Sequence, residues 1–182
     1  GVAMFALPVA QLFPHFPRLL LILVSGACMS LTAYYGIKSL TILSVIAVPA
    51  IVLLGCGSMA KAFHDFGGLS AWFAMEPSAP IPLTSAIGIC VGSFISGGTL
   101  TPDFTRYSRT PAISVSATVI AFLLGNSLMF LFGAVAAAFY QTNDISFAMM
   151  KQGMIVVAIL VLGLNIWTTN DNALYAASLG FA

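Results

Sequence analysis

An all-α integral membrane protein, a multi-span helical bundle, is the fold class this sequence predicts, and three observations predict it. Hydrophobic residues make up 60% of the 182 and charged residues only 6%, against about 25% charged in an ordinary soluble domain. The mean hydropathy is +1.05. The apolar residues gather in runs of roughly 20, the length that crosses the hydrocarbon of a bilayer. So little polar surface cannot coat a globule in water, and the lipid bilayer is the first partner the chain implies. The net charge is +1, with basic residues scattered singly, which leaves no electrostatic footprint for nucleic acid. Cys28, Cys56 and Cys90 are odd in number and lie in apolar runs, a pattern that argues against a disulfide framework and against CxxC-type metal spacing.

Taken in order, residues 1–10 read as the end of a helix whose start is missing, because Gly1 opens inside an apolar run. The chain therefore reads as an internal piece of a longer polytopic protein, a single transmembrane domain over 1–182. Pro14, His15 and Pro17 interrupt the first run as a loop. The first full span is 18–35. A tight turn at Gly36-Ile37-Lys38-Ser39 leads into the second span, 40–60, which holds Pro49. Residues 61–82 form the longest polar connection, with Lys61, His64, Asp65 and Glu76. Trp72 and the Phe and Met residues around it suggest a segment lying on the membrane surface. The third span is 83–107 and is broken. The fourth is 111–140, long enough to cross with tilt, and 141–152 is a polar loop. The fifth is 153–179. Alternating loops put Lys38, Arg106 and Arg109 on one side and Arg18, Lys61 and Lys151 on the other. The first set occupies the shorter loops, which favours the cytoplasm for that side.

The break in the third span rests on Gly97-Gly98, which weakens a helix, and on Pro102, which removes an intrahelical hydrogen bond. Unwound backbone at membrane depth is tolerated beside protein or a watery cavity, and transporters use it to offer N–H and C=O groups to a substrate. A kinked helix packed through small residues is the plainer alternative. Phe94 stands between Ser93 and Ser96 within one turn. An aromatic face with hydroxyls beside it suits a flat heterocycle better than a sugar or an amino acid. Asp103 and Arg106, three apart, are placed to pair at the membrane surface.

The fifth span passes from a lipid-soluble run into Asn165, Thr168, Thr169, Asn170, Asp171 and Asn172. Asn165, Thr168 and Thr169 stand at i, i+3 and i+4 and share one face of a helix. Two hydroxyls and the Asn165 carbonyl offer three neutral oxygens, the kind of ligand a hard monovalent cation such as Na⁺ takes. The alternative is that the hydroxyls bond back to carbonyls one turn earlier. Asn165 and Asn170 each carry a donor and an acceptor suited to the edge of a polar base. Asp171 is a carboxylate set in this span, able to carry a proton or to sit at a watery mouth. Asn126 and Ser127 in the fourth span read as interhelical hydrogen bonding, and Trp167 as packing or anchoring. GxSxG, HExxH, P-loop and GxGxxG motifs are all missing, so no enzyme is indicated.

Two long motifs carry a resemblance: Val91 through Tyr107, VGSFISGGTLTPDFTRY, and Gly163 through Tyr175, GLNIWTTNDNALY. With Leu40 to Pro49 and Leu123 to Phe130, they make nearly the whole chain similar to nucleobase–cation symport family 1. The resemblance implies twelve transmembrane helices in the inverted five-plus-five repeat of LeuT-type transporters. This chain would run from the end of helix 3 through helix 8, with the third span as helix 6 and the fifth as helix 8. It also implies a multi-pass protein of the bacterial inner membrane that imports cytosine with sodium by alternating access. By that match Asn165 (through its carbonyl), Thr168 and Thr169 hold Na⁺. Ser93 and Phe94 contact the nucleobase, and Asn165 or Asn170 hydrogen-bonds it. Sodium is the one coupling ion implied; no organic cofactor and no obligate protein partner follow. The helix 1 cation ligands, a ring-stacking Trp and a Gln would precede Gly1. Relatives that carry purines, hydantoins or allantoin share the scaffold. Two other readings stand beside this one: a proton-coupled carrier with Asp171 in the proton path, and a non-transporting membrane scaffold or receptor.

Overall fold

The computed structural model describes residues 2–12, 15–75, 81–142 and 144–181, and these are helical almost throughout. Nine α-helices follow one another among them: α1 (Val2–Leu12), α2 (Arg18–Tyr34), α3 (Ile37–Phe66), α4 (Gly68–Phe73), α5 (Leu83–Thr105), α6 (Pro111–Ile120), α7 (Asn126–Tyr140), α8 (Ile145–Lys151) and α9 (Ile155–Gly180). A π turn, Ala121–Gly125, separates α6 from α7. Helices α3, α5 and α9, together with the stretch that starts at Pro111, are long and apolar enough to cross a membrane. α2 is apolar but shorter, at 17 residues. Glu76 and Pro14 lie outside the described residues.

The boundaries differ from the sequence expectation where local caps decide them. α3 starts at Ile37, directly after Gly36 at φ 73°, so the tight turn is compressed into Tyr35 and Gly36. It then continues through Lys61 to Phe66 and stops at Gly67, whose φ of 89° is the left-handed conformation that closes helices. The first part of the expected polar connection is thus helix. Lys61 and Asp65 face each other one turn apart at 2.9 Å on its exposed end. The expected polar loop at 141–152 also contains a helix. Asp144 caps α8 by accepting a hydrogen bond from the Ser146 N–H at 2.7 Å. Gln152 then ties the end of α8 to α3: it accepts from Ser58 Oγ at 2.8 Å and donates to the Ser58 carbonyl at 3.0 Å.

The broken third span is not found. α5 is helical from Leu83 to Thr105, through Gly97, Gly98 and Pro102. Thr99 donates to the Ser96 carbonyl at 2.7 Å, Thr101 to Gly97 at 2.9 Å and Thr105 to Thr101 at 3.0 Å. Pro102 withholds the N–H that would bond the Gly98 carbonyl, and the helix nonetheless continues past it to Thr105.

The chain divides into two compact units, Gly1–Gly68 with Phe132–Ala182, and Leu69–Leu131. In the first, the core lies between α3, α8 and α9, where Ala47 and Ile51 meet Met149, Ala158 and Val161. A second cluster joins Met29 of α2 to Leu162 and Ile166 of α9, with Val2, Phe5 and Trp167 packed on it. Small residues let these helices approach closely, as membrane helices require when lipid is as apolar as leucine. Gly55 on α3 receives the ring of Phe132, and Gly163 on α9 that of Phe5. In the second unit, α6 begins at a Thr110 cap with Pro111 in its first turn. α5 and α6 have no fully buried residue, and Ile87, Ile89, Val91 and Ile95 are exposed.

Candidate functional site: oxygens on one helix face and an aromatic hollow

α9 presents its side chains to two different surroundings. Ala158, Val161, Leu162, Ile166, Asp171 and Tyr175 are buried. Asn165 and Thr169, one and two turns beyond Val161 and Leu162 on the same side of the helix, are exposed in this structure, with Thr168 beside them half-buried. Thr168 donates its hydroxyl hydrogen to the Leu164 carbonyl at 2.9 Å, with the Asn165 carbonyl 3.1 Å away. Thr169 donates to the Asn165 carbonyl at 2.7 Å. Both hydroxyls therefore bond back to their own helix, as the plainer reading of this spacing expects. The same bonds bring both hydroxyl oxygens within hydrogen-bond reach of the Asn165 carbonyl oxygen. A hydroxyl whose hydrogen points at its own backbone turns its lone pairs outward. Rotation of the Thr169 hydrogen away from the Asn165 carbonyl would free that oxygen as well.

Asn170 stands apart from this cluster. It lies five residues after Asn165, about 140° around the helix. Its Nδ2 donates to Met29 Sδ of α2 at 3.3 Å. The amide lines a hollow of about 340 Å³ together with Gly26, Met29, Ser30, Ala173 and Leu174. Helical periodicity thus separates the two asparagines that the sequence offered as equivalent readers of a base edge. Asn172, seven residues on from Asn165, returns to within about 20° of it.

Asp171 is the surprise of the fifth span. It is 1% exposed, away from any watery mouth. Its Oδ2 accepts from Thr32 Oγ1 of α2 at 2.6 Å, and Thr32 Oγ1 in turn accepts from Trp167 Nε1 at 2.9 Å. The other carboxyl oxygen, Oδ1, is buried without a hydrogen-bond partner among the described residues. Sequence reasoning passed over Thr32, since nothing local marks a threonine whose partner lies 139 residues away. The mouth position expected for Asp171 is corrected for the same reason. Asp171 sits on the buried side of α9, where α2 covers it.

In the second unit, Ser93 and Phe94 lie on α5. Ser93 donates its hydroxyl to the Cys90 carbonyl at 2.8 Å. Phe94 meets Phe122 edge to face, with ring centroids 5.5 Å apart. Its ring also lies against Gly97, where a Cβ would stand 3.2 Å from it. Phe94, Phe122, Val119 and Asn126 border a largely apolar hollow of about 530 Å³. Asn126, read from sequence as an interhelical bridge, is thus a wall of the space beside Phe94. Arg106 donates to the Tyr107 hydroxyl at 3.0 Å and lies 5.0 Å from the Tyr107 ring centre.

The described residues thus offer an apolar hollow with one aromatic edge on α5 and, separately, neutral oxygens close together on α9. Comparison with known sequences decides the family. The profile described as "Permease for cytosine/purines, uracil, thiamine, allantoin" matches residues 1–182, the whole chain. The chain belongs to this permease family. Cytosine permease of Escherichia coli K12 is 54% identical over 182 residues, which is 100% of this chain and 43% of that protein. The cytosine permeases of E. coli O6:H1 and O157:H7 are 54% and 53% identical over the same length. This member of the permease family therefore spans under half the length of the curated relatives it matches. Those relatives are named as permeases, transporters rather than enzymes. With its apolar helices, the chain is part of a membrane-embedded permease.

Proposed function

We propose that the whole protein imports cytosine together with sodium across the bacterial inner membrane by alternating access. The observation that carries this reading is the 54% identity to a cytosine permease along every residue of the chain. The α9 face supports the cation. The Thr168 and Thr169 hydroxyl oxygens lie 3.1 and 2.7 Å from the Asn165 carbonyl oxygen, and Na⁺ takes that class of neutral oxygen ligand. In this reading Ser93 and Phe94 contact the base, Phe94 through its ring, and Asn165 or Asn170 bonds its polar edge. The scaffold is the LeuT-type inverted repeat, with α5 and α9 as helices 6 and 8 of twelve. Sodium then favours substrate binding by adding ligands to one state of the carrier, a linkage that requires different affinities in the two states.

The matched family also covers purines, uracil, thiamine and allantoin, so another nucleobase or allantoin, with a proton as the coupling ion, is the second reading. Uptake and counterflow of tritiated cytosine by the full-length protein in proteoliposomes separate these outcomes. Cytosine uptake driven by an inward sodium gradient is expected, and competing uracil or allantoin should leave it unaffected. Uptake that ignores sodium and collapses with the pH gradient would move the assignment to a proton. Binding without counterflow would make the protein a receptor.

A further inference from the structure

Asp171 poses a problem that the proposed carrier cycle does not solve. A carboxyl group 1% exposed, with Oδ1 unpartnered, is an expensive thing to keep in a helix bundle. It lies only two residues after Thr169 yet on another side of the helix. A hydrogen bond ties it to α2, where Thr32 gives it the hydroxyl hydrogen at 2.6 Å. A hydroxyl has one hydrogen. Committing it to Asp171 leaves the Met29 carbonyl, 2.9 Å from Thr32 Oγ1, without it. Thr32 then accepts the Trp167 N–H at 2.9 Å. Trp167 and Asp171 stand four apart on α9 and close on the same oxygen of α2 from successive turns.

Two contacts one turn apart define a rotation as well as a distance. We propose that Trp167, Thr32 and Asp171 form a positioning network that fixes the rotation of α9 against α2. It thereby aims Asn165, Thr168 and Thr169 at the cation. The inference rests on the sodium reading of that face. Its physical basis is the lever of the helix. The Cα atoms lie about 2.3 Å from the axis, so a 20° rotation moves them by about 0.8 Å, and side-chain oxygens by more. Binding groups have to be held within about 0.5 Å and 10–20° to work. The apolar contacts of α2 with α9, made by Met29, Leu162 and Ile166, tolerate sliding. Directional hydrogen bonds do not.

The test uses the full-length carrier and two readouts. One is the sodium concentration that gives half-maximal cytosine binding. The other is the rate at which a water-soluble thiol reagent labels Asn172→Cys, on the Asn165 face, in an otherwise cysteine-free background. Thr32→Val keeps shape and removes the hydroxyl; Asp171→Leu removes the acceptor. Both should raise the half-maximal sodium concentration at least tenfold and change the labelling rate severalfold, with cytosine affinity at saturating sodium within about threefold of the parent. Thr32→Ser and Asp171→Asn, which keep an oxygen for the bond, should restore both readouts to within twofold. The inference is overturned if Thr32→Val leaves sodium dependence and labelling unchanged, or lowers only the melting temperature. It is also overturned if Asp171→Asn fails as Asp171→Leu does, because the charge rather than the bond would then matter. A parent protein indifferent to sodium would refute the cation assignment instead, and the labelling rates would still decide the network.

Discussion

At the scale of single residues, Thr169 and Phe94 carry the sharpest consequences. Thr169 Oγ1 and the Asn165 carbonyl are 2.7 Å apart on an exposed helix face. Removing the hydroxyl takes away one proposed ligand and leaves the helix its backbone bonds. Thr169→Ala in the full-length protein should therefore abolish the sodium dependence of cytosine binding, while Thr169→Ser retains it. Isothermal titration at several sodium concentrations measures this, and persisting sodium enhancement in the alanine variant would remove Thr169 from the cation site. Phe94 is 39% exposed, its ring edge-on to Phe122 and lying against Gly97. Phe94→Ala should weaken cytosine binding by about 1–3 kcal/mol, the range for a base stacked on an aromatic side chain. Phe94→Tyr should stay near the parent, and equal affinity in all three would place the substrate elsewhere. The oxygen cluster was legible in sequence, because i, i+3 and i+4 is a rule of helical geometry. The direction of the hydroxyl hydrogens was not, because the backbone carbonyls compete for them.

Among the helices, small residues decide how closely neighbours approach. A Cβ on Gly55 would overlap the ring of Phe132, which is 1% exposed and packed on all sides. Neither partner can give way cheaply. Gly55→Ala should destabilise the protein by roughly 1–3 kcal/mol, the usual cost of overpacking. Gly57, two residues on, has nothing within 4 Å of its would-be Cβ. Gly57→Ala should be neutral or slightly stabilising, since alanine is the better helix former. Thermal unfolding in detergent reports both, and equal midpoints for the two variants would deny the close α3–α7 contact. Element boundaries were harder to read than element existence. Pro102 and Gly97-Gly98 signal a break, yet α5 stays helical past them to Thr105. Asp144 followed by Ser146 was a readable cap for α8, masked by the polarity of the surrounding loop.

For the whole molecule, the chain spans 43% of the length of the cytosine permease it matches. The exposed apolar residues of α5 and α6 in the second unit are what a bilayer or further helices would cover. The sequence by itself determined that the protein lives in a membrane, that its spans are helices, and which family it resembles. Those facts are set by composition, by run length and by motifs, each contained in a local stretch of chain. Only the tertiary structure decided that Asp171 turns toward Thr32 rather than toward water, that Asn170 leaves the face of Asn165, and that Gly55 exists to receive Phe132. Such choices depend on which distant residue arrives at a given helix face, and contacts across 139 residues leave no periodic trace in the order of amino acids.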